Sequence, residues 1–132
     1  MLKIGLIGCG RIGSMHANIL KQEDDVILEA VYDINTSLAK TVSQKTGAKL
    51  CNEDFELFNN KDINAVLIAS ATSSHADYIE KALTNGKPVF CEKPIDLSLD
   101  RIRKCYHRIK LIDLPIQIGF NRRFDPSHSS IK

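Results

Sequence analysis

Residues 2–17 of the chain read LKIGLIGCGRIGSMHA, in which a short apolar run leads into glycines and then into residues with helical spacing. Residues 2–7 are typical of a buried parallel strand, and residues 12–21 of an amphipathic helix. The segment between them, residues 8–13, matches the G-x-G-x-x-G pattern in the strand–turn–helix setting of a dinucleotide-binding loop. We therefore predict that this turn binds a diphosphate.

Each glycine of the loop has its own predicted role. Gly8 permits the tight turn out of the strand, a side chain at Gly10 would block the approach of a pyrophosphate, and Gly13 lets the helix pack closely against the sheet. The free N–H groups and the positive end of the helix then face the phosphates. We expect Arg11 and Ile12 to contribute to the same site, although Arg11 has a second interpretation as a solvent-facing side chain. A protein-kinase glycine loop would lie in an antiparallel hairpin instead.

Cysteine usage predicts neither a metal site nor a disulfide framework. The four cysteines, Cys9, Cys51, Cys91 and Cys105, contain no C-x-x-C pair, so the sequence gives no case for zinc. Cys9 stands next to a helix start, which is expected to lower the pKa of its thiol and would suit redox sensing, with loop filler as the plainer interpretation. His16, one turn into the helix, is expected at the surface.

The rest of the chain continues the alternation of strands and helices. Strands are predicted at residues 26–32, 48–51, 63–69, 88–91 and 116–120. Helices are predicted from a cap at Asn35 or Thr36 to about 45, at 54–58, from a cap at Ser73 or Ser74 to about 84, and at about 99–111 after Ser98. This order predicts an α/β fold of the Rossmann type, in which a doubly wound parallel sheet of six strands carries helices on both faces. Residues 1–120 would form this domain.

Asp33 ends the second predicted strand, twenty positions after Gly13. An acidic residue there accepts hydrogen bonds from the ribose hydroxyls of the adenosine half, and its charge repels a 2′-phosphate. Ile34 and Asn35 follow, so no arginine is present to bind such a phosphate. NAD is therefore predicted over NADP. The alternative, that Asp33 caps the next helix, is compatible with this role.

Polar segments follow the later strands, where ligands of open parallel sheets bind. Within residues 70–75, Ala71, Thr72 and His75 are candidates for cofactor contact, although His75 could equally be an ordinary residue in the first turn of a helix. After the sixth strand, Arg122 and Arg123 could bind polyhydroxyl groups or anchor a following domain.

The segment Glu92-Lys93-Pro94 follows the fifth strand, and Pro94 favours an extended conformation at Lys93. The ammonium of Lys93 can donate a hydrogen bond to a substrate hydroxyl and stabilise the alkoxide that forms from it. A surface ion pair between Lys93 and Glu92 is the competing interpretation.

Composition bounds the partners of the chain. Its 132 residues suit one domain, with 43% hydrophobic and 26% charged residues. The net charge of +2 gives no reason to expect nucleic acid or an anionic membrane as a partner. No apolar run is long enough to span a bilayer, and the amino terminus does not resemble a signal peptide. We expect a cytoplasmic protein.

Three segments together resemble the Gfo/Idh/MocA oxidoreductases: residues 8–17, residues 92–94 and residues 119–126. The last of these is most similar to the inositol 2-dehydrogenases. The resemblance implies NAD-dependent oxidation of a secondary alcohol on a cyclic polyol or sugar. It implies a catalytic, substrate-contacting role for Lys93 and a place near the substrate for Arg122 and Arg123. The cofactor ligands that it implies are Gly8, Gly10, Gly13 and Asp33, and more loosely Thr72, His75 and Glu92.

The resemblance also implies a second, α+β domain and a homo-oligomeric complete enzyme. Residues 121–132 are expected to begin the connection to that domain. The Asp-x-x-x-His pair of the family, whose histidine is the acid/base, would belong to the second domain, and no such pair follows Lys93. The chain is thus expected to bind NAD without efficient turnover. Two alternatives stay open: a non-catalytic NAD-binding or regulatory module, and a family member that acts on an imine or a tetrapyrrole.

Overall fold

A computed structural model describes residues 1–121 of the chain, and strands and helices alternate throughout this range. The strands are β1 (Leu2–Ile7), β2 (Val26–Tyr32), β3 (Lys49–Leu50), β4 (Ala65–Ile68), β5 (Val89–Cys91) and β6 (Ile116–Ile118). The helices are α1 (Arg11–Lys21), α2 (Thr36–Thr46), α3 (Asp54–Phe58), α4 (His75–Thr84) and α5 (Leu99–Ile109). A short 3₁₀ turn, Thr72–Ser74, precedes α4. The predicted order is confirmed, whereas β3, β4, β5 and β6 are shorter than predicted.

The six strands form one parallel sheet in the order β3-β2-β1-β4-β5-β6. The chain winds outward from β1 in one direction through β2 and β3, and from β4 in the other direction through β5 and β6. The strand order therefore reverses between β1 and β4, which is the position where open α/β sheets bind their ligands. This is the doubly wound topology that the alternation predicted.

Apolar side chains of the sheet pack into two separate core layers, one on each face of the sheet. Neighbouring residues of a strand point to opposite faces, and Leu6 and Ile7 of β1 accordingly enter different layers. Leu6 packs with apolar residues of α1 and α2, whereas Ile7 packs with those of α3, α4 and α5. Both side chains are almost completely buried, and each contributes about 1.5–3 kcal/mol by leaving water. The prediction of helices on both faces is thus confirmed.

Side-chain hydrogen bonds cap the starts of two helices, α2 and α5. The side chain of Asn35 accepts from the N–H of Ser37 at 3.1 Å and caps α2, which ends at Gly47 with a φ of 80°. Ser98 caps α5 by accepting from Arg101 at 3.3 Å. The predicted serine cap of α4 is wrong in its chemistry. Ser74 occupies the cap position, but its hydroxyl turns back along the 3₁₀ turn and donates to the carbonyl of Ala71.

The register of the sheet aligns the carboxyl ends of five strands. The last residues of β1, β2, β4, β5 and β6 are paired with one another in a single row. The chain therefore leaves these strands at the same level of one edge of the sheet, where the next residues are Gly8, Asp33, Ala69, Glu92 and Gly119. Several predicted site residues are brought to this edge.

Three further findings concern residues 1–121. No helix in this range combines the length and the apolar character needed to cross a membrane. No group of three or more His, Cys, Asp or Glu side chains in it could hold a metal ion. The four cysteines are buried free thiols. Arg122, Arg123 and, except for Asn121, the predicted connection at 121–132 lie outside the described residues.

Candidate functional site

Gly8 makes the turn from β1 possible for two reasons. Its φ of 97° lies in the left-handed region that residues with a side chain rarely adopt. A Cβ at this position would also overlap the backbone of Ala69 and Ser70, at the end of β4. The first turn of the loop is therefore pressed against the neighbouring strand, and the predicted role of Gly8 is confirmed.

Gly13 lies in the first turn of α1, where a Cβ would overlap the carbonyl oxygen of Gly8. The absence of a side chain at Gly13 lets the helix start close to the end of β1, which fixes the direction of the helix axis relative to the loop. The predicted close packing is confirmed, and its nearest partner is the loop itself.

Gly10 differs from the other two glycines, because a Cβ there would meet no described atom within 4 Å. Its φ of −73° is also open to any residue. Gly10 is the N-cap of α1 and offers no side chain to the first turn, whose first backbone bond runs from Ser14 to the carbonyl of Gly10 at 2.8 Å. The N–H groups of Arg11 and Ile12 precede that bond and lack helical partners. A diphosphate fits this open, positively polarised surface.

The carboxylate of Asp33 contacts the glycine loop directly. Its Oδ2 accepts a hydrogen bond from the N–H of Cys9 at 2.7 Å, and its Oδ1 accepts from the N–H of Asn35 at 2.7 Å. Asn35, and not Asp33, is the residue that caps α2. A carboxylate can accept about four hydrogen bonds, so these contacts leave capacity for ribose hydroxyls. Asp33 thus links the loop to the edge where the adenosine half would lie.

The expectation of a lowered pKa at Cys9 is wrong. Burial and, to a smaller extent, the negative charge of Asp33 raise the pKa of this thiol to about 12. The side chain is 1% exposed, and its Sγ lies 3.7 Å from the carbonyl oxygen of Tyr32. Loss of water around the thiol outweighs the favourable end of the helix, so Cys9 does not have the properties of a redox sensor.

A cavity of about 520 Å³ lies beside the loop, above the point where the strand order reverses. It is lined by six of the predicted cofactor residues: Gly8, Gly10, Arg11, Ile12, Asp33 and Ala71. Gly13, Thr72, His75 and Glu92 do not line it. The cavity therefore connects the predicted adenosine and diphosphate positions with the segment after β4.

Sequence reasoning missed several residues of the cavity wall, among them Ile34 and Tyr78. Ile34 is 90% exposed although it is apolar, and its place directly after Asp33 could have indicated contact with a ligand. Tyr78 lies on α4, and burial raises the pKa of its phenol to about 12. No local pattern in the sequence indicates that Tyr78 reaches this wall.

His75 is held between two backbone carbonyls. Its ring is 2% exposed, with Nδ1 2.7 Å from the carbonyl oxygen of Pro94 and Nε2 2.8 Å from that of Ser70. His75 had two interpretations, as a cofactor contact or as an ordinary residue in the first turn of a helix, and neither describes its environment fully. The residue does begin α4, but its ring is buried against the backbone of the segments after β4 and β5.

Glu92 and Lys93 leave β5 in different environments. Oε1 of Glu92 lies 2.6 Å from Nε2 of His16, and both side chains are largely buried. His16 was expected at the surface, and the structure instead packs its ring against that of Phe90, with centroids 5.7 Å apart. Glu92 therefore pairs with His16, and an ion pair between Glu92 and Lys93 is not formed among the described residues. Lys93 is exposed, and its peptide bond to Pro94 is cis.

Comparison with known proteins gives one family and many relatives. The sequence profile of an oxidoreductase family with an NAD-binding Rossmann fold matches residues 2–120. An inositol 2-dehydrogenase of Rhizobium meliloti is 37% identical over 131 residues, which are 99% of this chain and 39% of the relative. A scyllo-inositol 2-dehydrogenase (NAD(+)) of Bacillus subtilis is 35% identical, with coverage of 99% and 39%. The chain thus spans about two fifths of the length of these relatives.

Solved structures of related proteins also have the same fold as this chain. The crystal structure of scyllo-inositol dehydrogenase from Lactobacillus casei with bound NAD(H) and scyllo-inositol aligns with a TM-score of 0.91 and 34% identity, over 99% of this chain and 39% of that one. A myo-inositol dehydrogenase from Corynebacterium glutamicum aligns with a TM-score of 0.92 and 38% identity, over 99% and 39%. The resemblance of the fold therefore extends over nearly the whole chain.

Proposed function

Because the chain belongs to the Gfo/Idh/MocA oxidoreductases, a family with an NAD-binding Rossmann fold, we propose that it binds NAD for the oxidation of a secondary alcohol on a cyclic polyol or sugar. The observation that carries this proposal is the arrangement along one edge of the sheet. Asp33, the open surface at Gly10 and Lys93 follow β2, β1 and β5, in the order in which a bound dinucleotide would meet them.

Asp33 and the start of α1 bind the adenosine diphosphate half of NAD. The carboxylate of Asp33 accepts hydrogen bonds from the ribose hydroxyls, and the backbone N–H groups at the start of α1 donate to the diphosphate. A 2′-phosphate would bring further negative charge next to Asp33, and the neighbouring Ile34 and Asn35 offer no positive charge. The site is therefore specific for NAD over NADP.

Lys93 is the residue of this chain that would act on the substrate. Bound NAD supplies the hydride acceptor. The ammonium of Lys93 donates a hydrogen bond to the reacting hydroxyl and stabilises the negative charge that develops on its oxygen. Arg122 and Arg123 would bind other hydroxyl groups of the same substrate. Inositols are the favoured substrate class, because the relatives at 35–37% identity include inositol dehydrogenases.

Turnover on this proposal requires the region that the relatives have beyond the two fifths they share with this chain. We propose that residues 1–120 form the NAD-binding domain, that 121–132 begin the connection to that region, and that the complete enzyme is a homo-oligomer. The four buried free thiols favour a reducing compartment such as the cytoplasm.

Calorimetry with the 132-residue chain tests the cofactor. NAD is expected to bind at least about tenfold more tightly than NADP, which corresponds to about 1.4 kcal/mol. No heat on addition of NAD, in a chain whose circular dichroism and unfolding show that it is folded, would contradict the proposal.

A chimera tests the substrate class. Residues 1–121 would be joined to the remaining region of the Lactobacillus casei scyllo-inositol dehydrogenase, and NADH formation would be followed with myo-inositol, scyllo-inositol and glucose. Lys93→Met in the chimera is expected to lower turnover about a hundredfold or more, with NAD affinity nearly kept. A chimera that binds NAD and oxidises none of these polyols would remove the polyol assignment and leave NAD binding in place.

A further inference from the structure

The two neighbours of Lys93 in the chain, Glu92 and Pro94, are each contacted by a histidine from a different helix. We infer that His16 and His75 are positioning residues that together hold the segment 92–94, and with it the backbone of Lys93, at the nicotinamide end of the site. This inference rests on the proposed function. His16 and His75 are called the histidine clamp below.

The first half of the clamp joins the glycine-loop helix to Glu92. His16 lies one turn after Gly13 on α1, and its Nε2 is 2.6 Å from Oε1 of Glu92. The side chains of His16 and Glu92 are 18% and 23% exposed, so water competes little for this contact. The main chain of Glu92 is fixed as well, because its N–H donates to the carbonyl of Ile68 at 2.9 Å.

The second half of the clamp joins two segments that leave the sheet at the same edge. Ser70 follows β4 and lines the cavity, whereas Pro94 follows Lys93. The buried ring of His75 lies between them, with its two nitrogens 2.8 and 2.7 Å from their carbonyl oxygens. One side chain therefore lies between the peptide that follows Lys93 and the cavity wall, in contact with both.

The two histidines approach from opposite faces of the sheet. α1 packs in the layer that contains Leu6, and α4 in the layer that contains Ile7. A lysine side chain has several rotatable bonds, so the reach of its ammonium depends on where its backbone starts. A clamp from both faces fixes that starting point, and small misplacement of a reacting group is costly to rate.

The order of the strands indicates which half of a bound NAD would lie next to the clamp. Asp33 follows β2 and the loop follows β1, so the adenosine and diphosphate parts lie on that side. The rest of the dinucleotide then extends over β4 and β5, toward Glu92 and Lys93. Loss of the clamp should therefore weaken contacts of the nicotinamide half and leave those of the adenosine half. A histidine that only stabilised the fold would affect both halves alike.

The test compares two probes on the 132-residue chain: NADH, and ADP-ribose, which lacks the nicotinamide. His16→Phe keeps an aromatic ring against Phe90 and removes the contact with Glu92. We expect it to weaken NADH about fivefold or more and ADP-ribose less than about twofold. His16→Gln restores a donor, and most of the NADH affinity should return. His107→Phe is the matched control, since His107 is exposed on α5.

His75→Gln tests the second half of the clamp, in which the ring of His75 lies between Ser70 and Pro94. The affinities for NADH and ADP-ribose are measured as before, and thermal unfolding is recorded as well because the ring is buried. A second measurement needs no cofactor: amide hydrogen exchange at Glu92 and Lys93 should become faster in His16→Phe than in His107→Phe. Equal losses of NADH and ADP-ribose affinity in His16→Phe, or unchanged affinities together with unchanged exchange, would overturn the clamp alone. Failure of the unaltered, folded chain to bind NADH would overturn the proposed function and the clamp with it.

Discussion

Gly10→Ala separates binding from folding more sharply than any other change in the loop. The φ of −73° accommodates alanine, and a Cβ would meet no described atom within 4 Å. Alanine lowers the entropy of the unfolded chain but is a poorer N-cap than glycine. Because these effects oppose each other, we expect the free energy of unfolding to change by less than about 1 kcal/mol.

The same methyl group occupies the surface proposed for the diphosphate. It places a carbon about 1.5 Å from the Cα, so the phosphate must move away and its hydrogen bonds to the N–H groups of α1 exceed the usual limit of about 3.2 Å. Two charge-assisted bonds of about 1.5 kcal/mol each would be lost, which together raise the Kd for NAD roughly a hundredfold. Calorimetry measures the affinity, and urea unfolding measures the stability.

Gly47→Ala is the matched control, because a Cβ at Gly47 also meets no described atom within 4 Å. Its φ is +80°, so alanine there should cost about 1–2 kcal/mol of stability. Gly47 ends α2 and does not line the cavity, so NAD affinity should be unchanged. If Gly10→Ala bound NAD within threefold of the unaltered chain while Gly47→Ala lost stability as expected, the diphosphate could not lie against Gly10.

Three further predictions follow from the contacts. Asp33→Asn leaves one oxygen for two backbone N–H donors and removes the charge, so calorimetry should show NAD binding weakened about tenfold and a smaller preference over NADP. Burial raises the pKa of the Cys9 and Cys91 thiols from 9.0 to about 12. Stability should thus be full below about pH 8.5 and decline as the pH rises toward 12, because the unfolded chain releases these protons first; urea midpoints that stay constant from pH 8 to 10.5 would contradict this. Arg101→Met removes two contacts of α5 with α4, one of 2.8 Å to the largely buried Glu80 and one of 2.6 Å to Asp77, and should lower the free energy of unfolding by about 1 kcal/mol, while a change within error would show that these two ion pairs add no stability.

The parts of the fold that sequence predicts well are those with local signals. β2 and α3 have the predicted bounds, because a run rich in Val, Ile and Tyr and a pair of apolar residues one helical turn apart are each visible within a few residues. The predicted strand at 63–69 was too long for a physical reason. Ile63 is buried by packing, yet its N–H donates to the carbonyl of Asn60 in a turn, and strand pairing starts only at Ala65. An apolar run in the sequence indicates which residues are buried, but it does not indicate which of them are paired with a neighbouring strand.

The site shows the same division between local and distant information. The glycine loop and Asp33 were predicted because their spacing is a local pattern. The partners of the two histidines were not predictable in this way, since His16 and Glu92 are separated by 76 positions and His75 and Pro94 by 19. Only the register of the sheet brings those residues to one edge. The sequence placed Cys9 correctly at a helix start, but burial of the thiol is a property of the folded chain.

Asp33 connects the proposed ribose site with the proposed diphosphate site at the glycine loop. Its contact with the N–H of Cys9 orders the glycine loop before any ligand arrives, so less conformational entropy remains to be lost when NAD binds. Burial raises the pKa of the Cys9 thiol, and the same charge of Asp33 adds to that effect. A carboxylate suited to ribose hydroxyls thus also organises the loop, and neutralising Asp33 should impair ribose binding and loop order together.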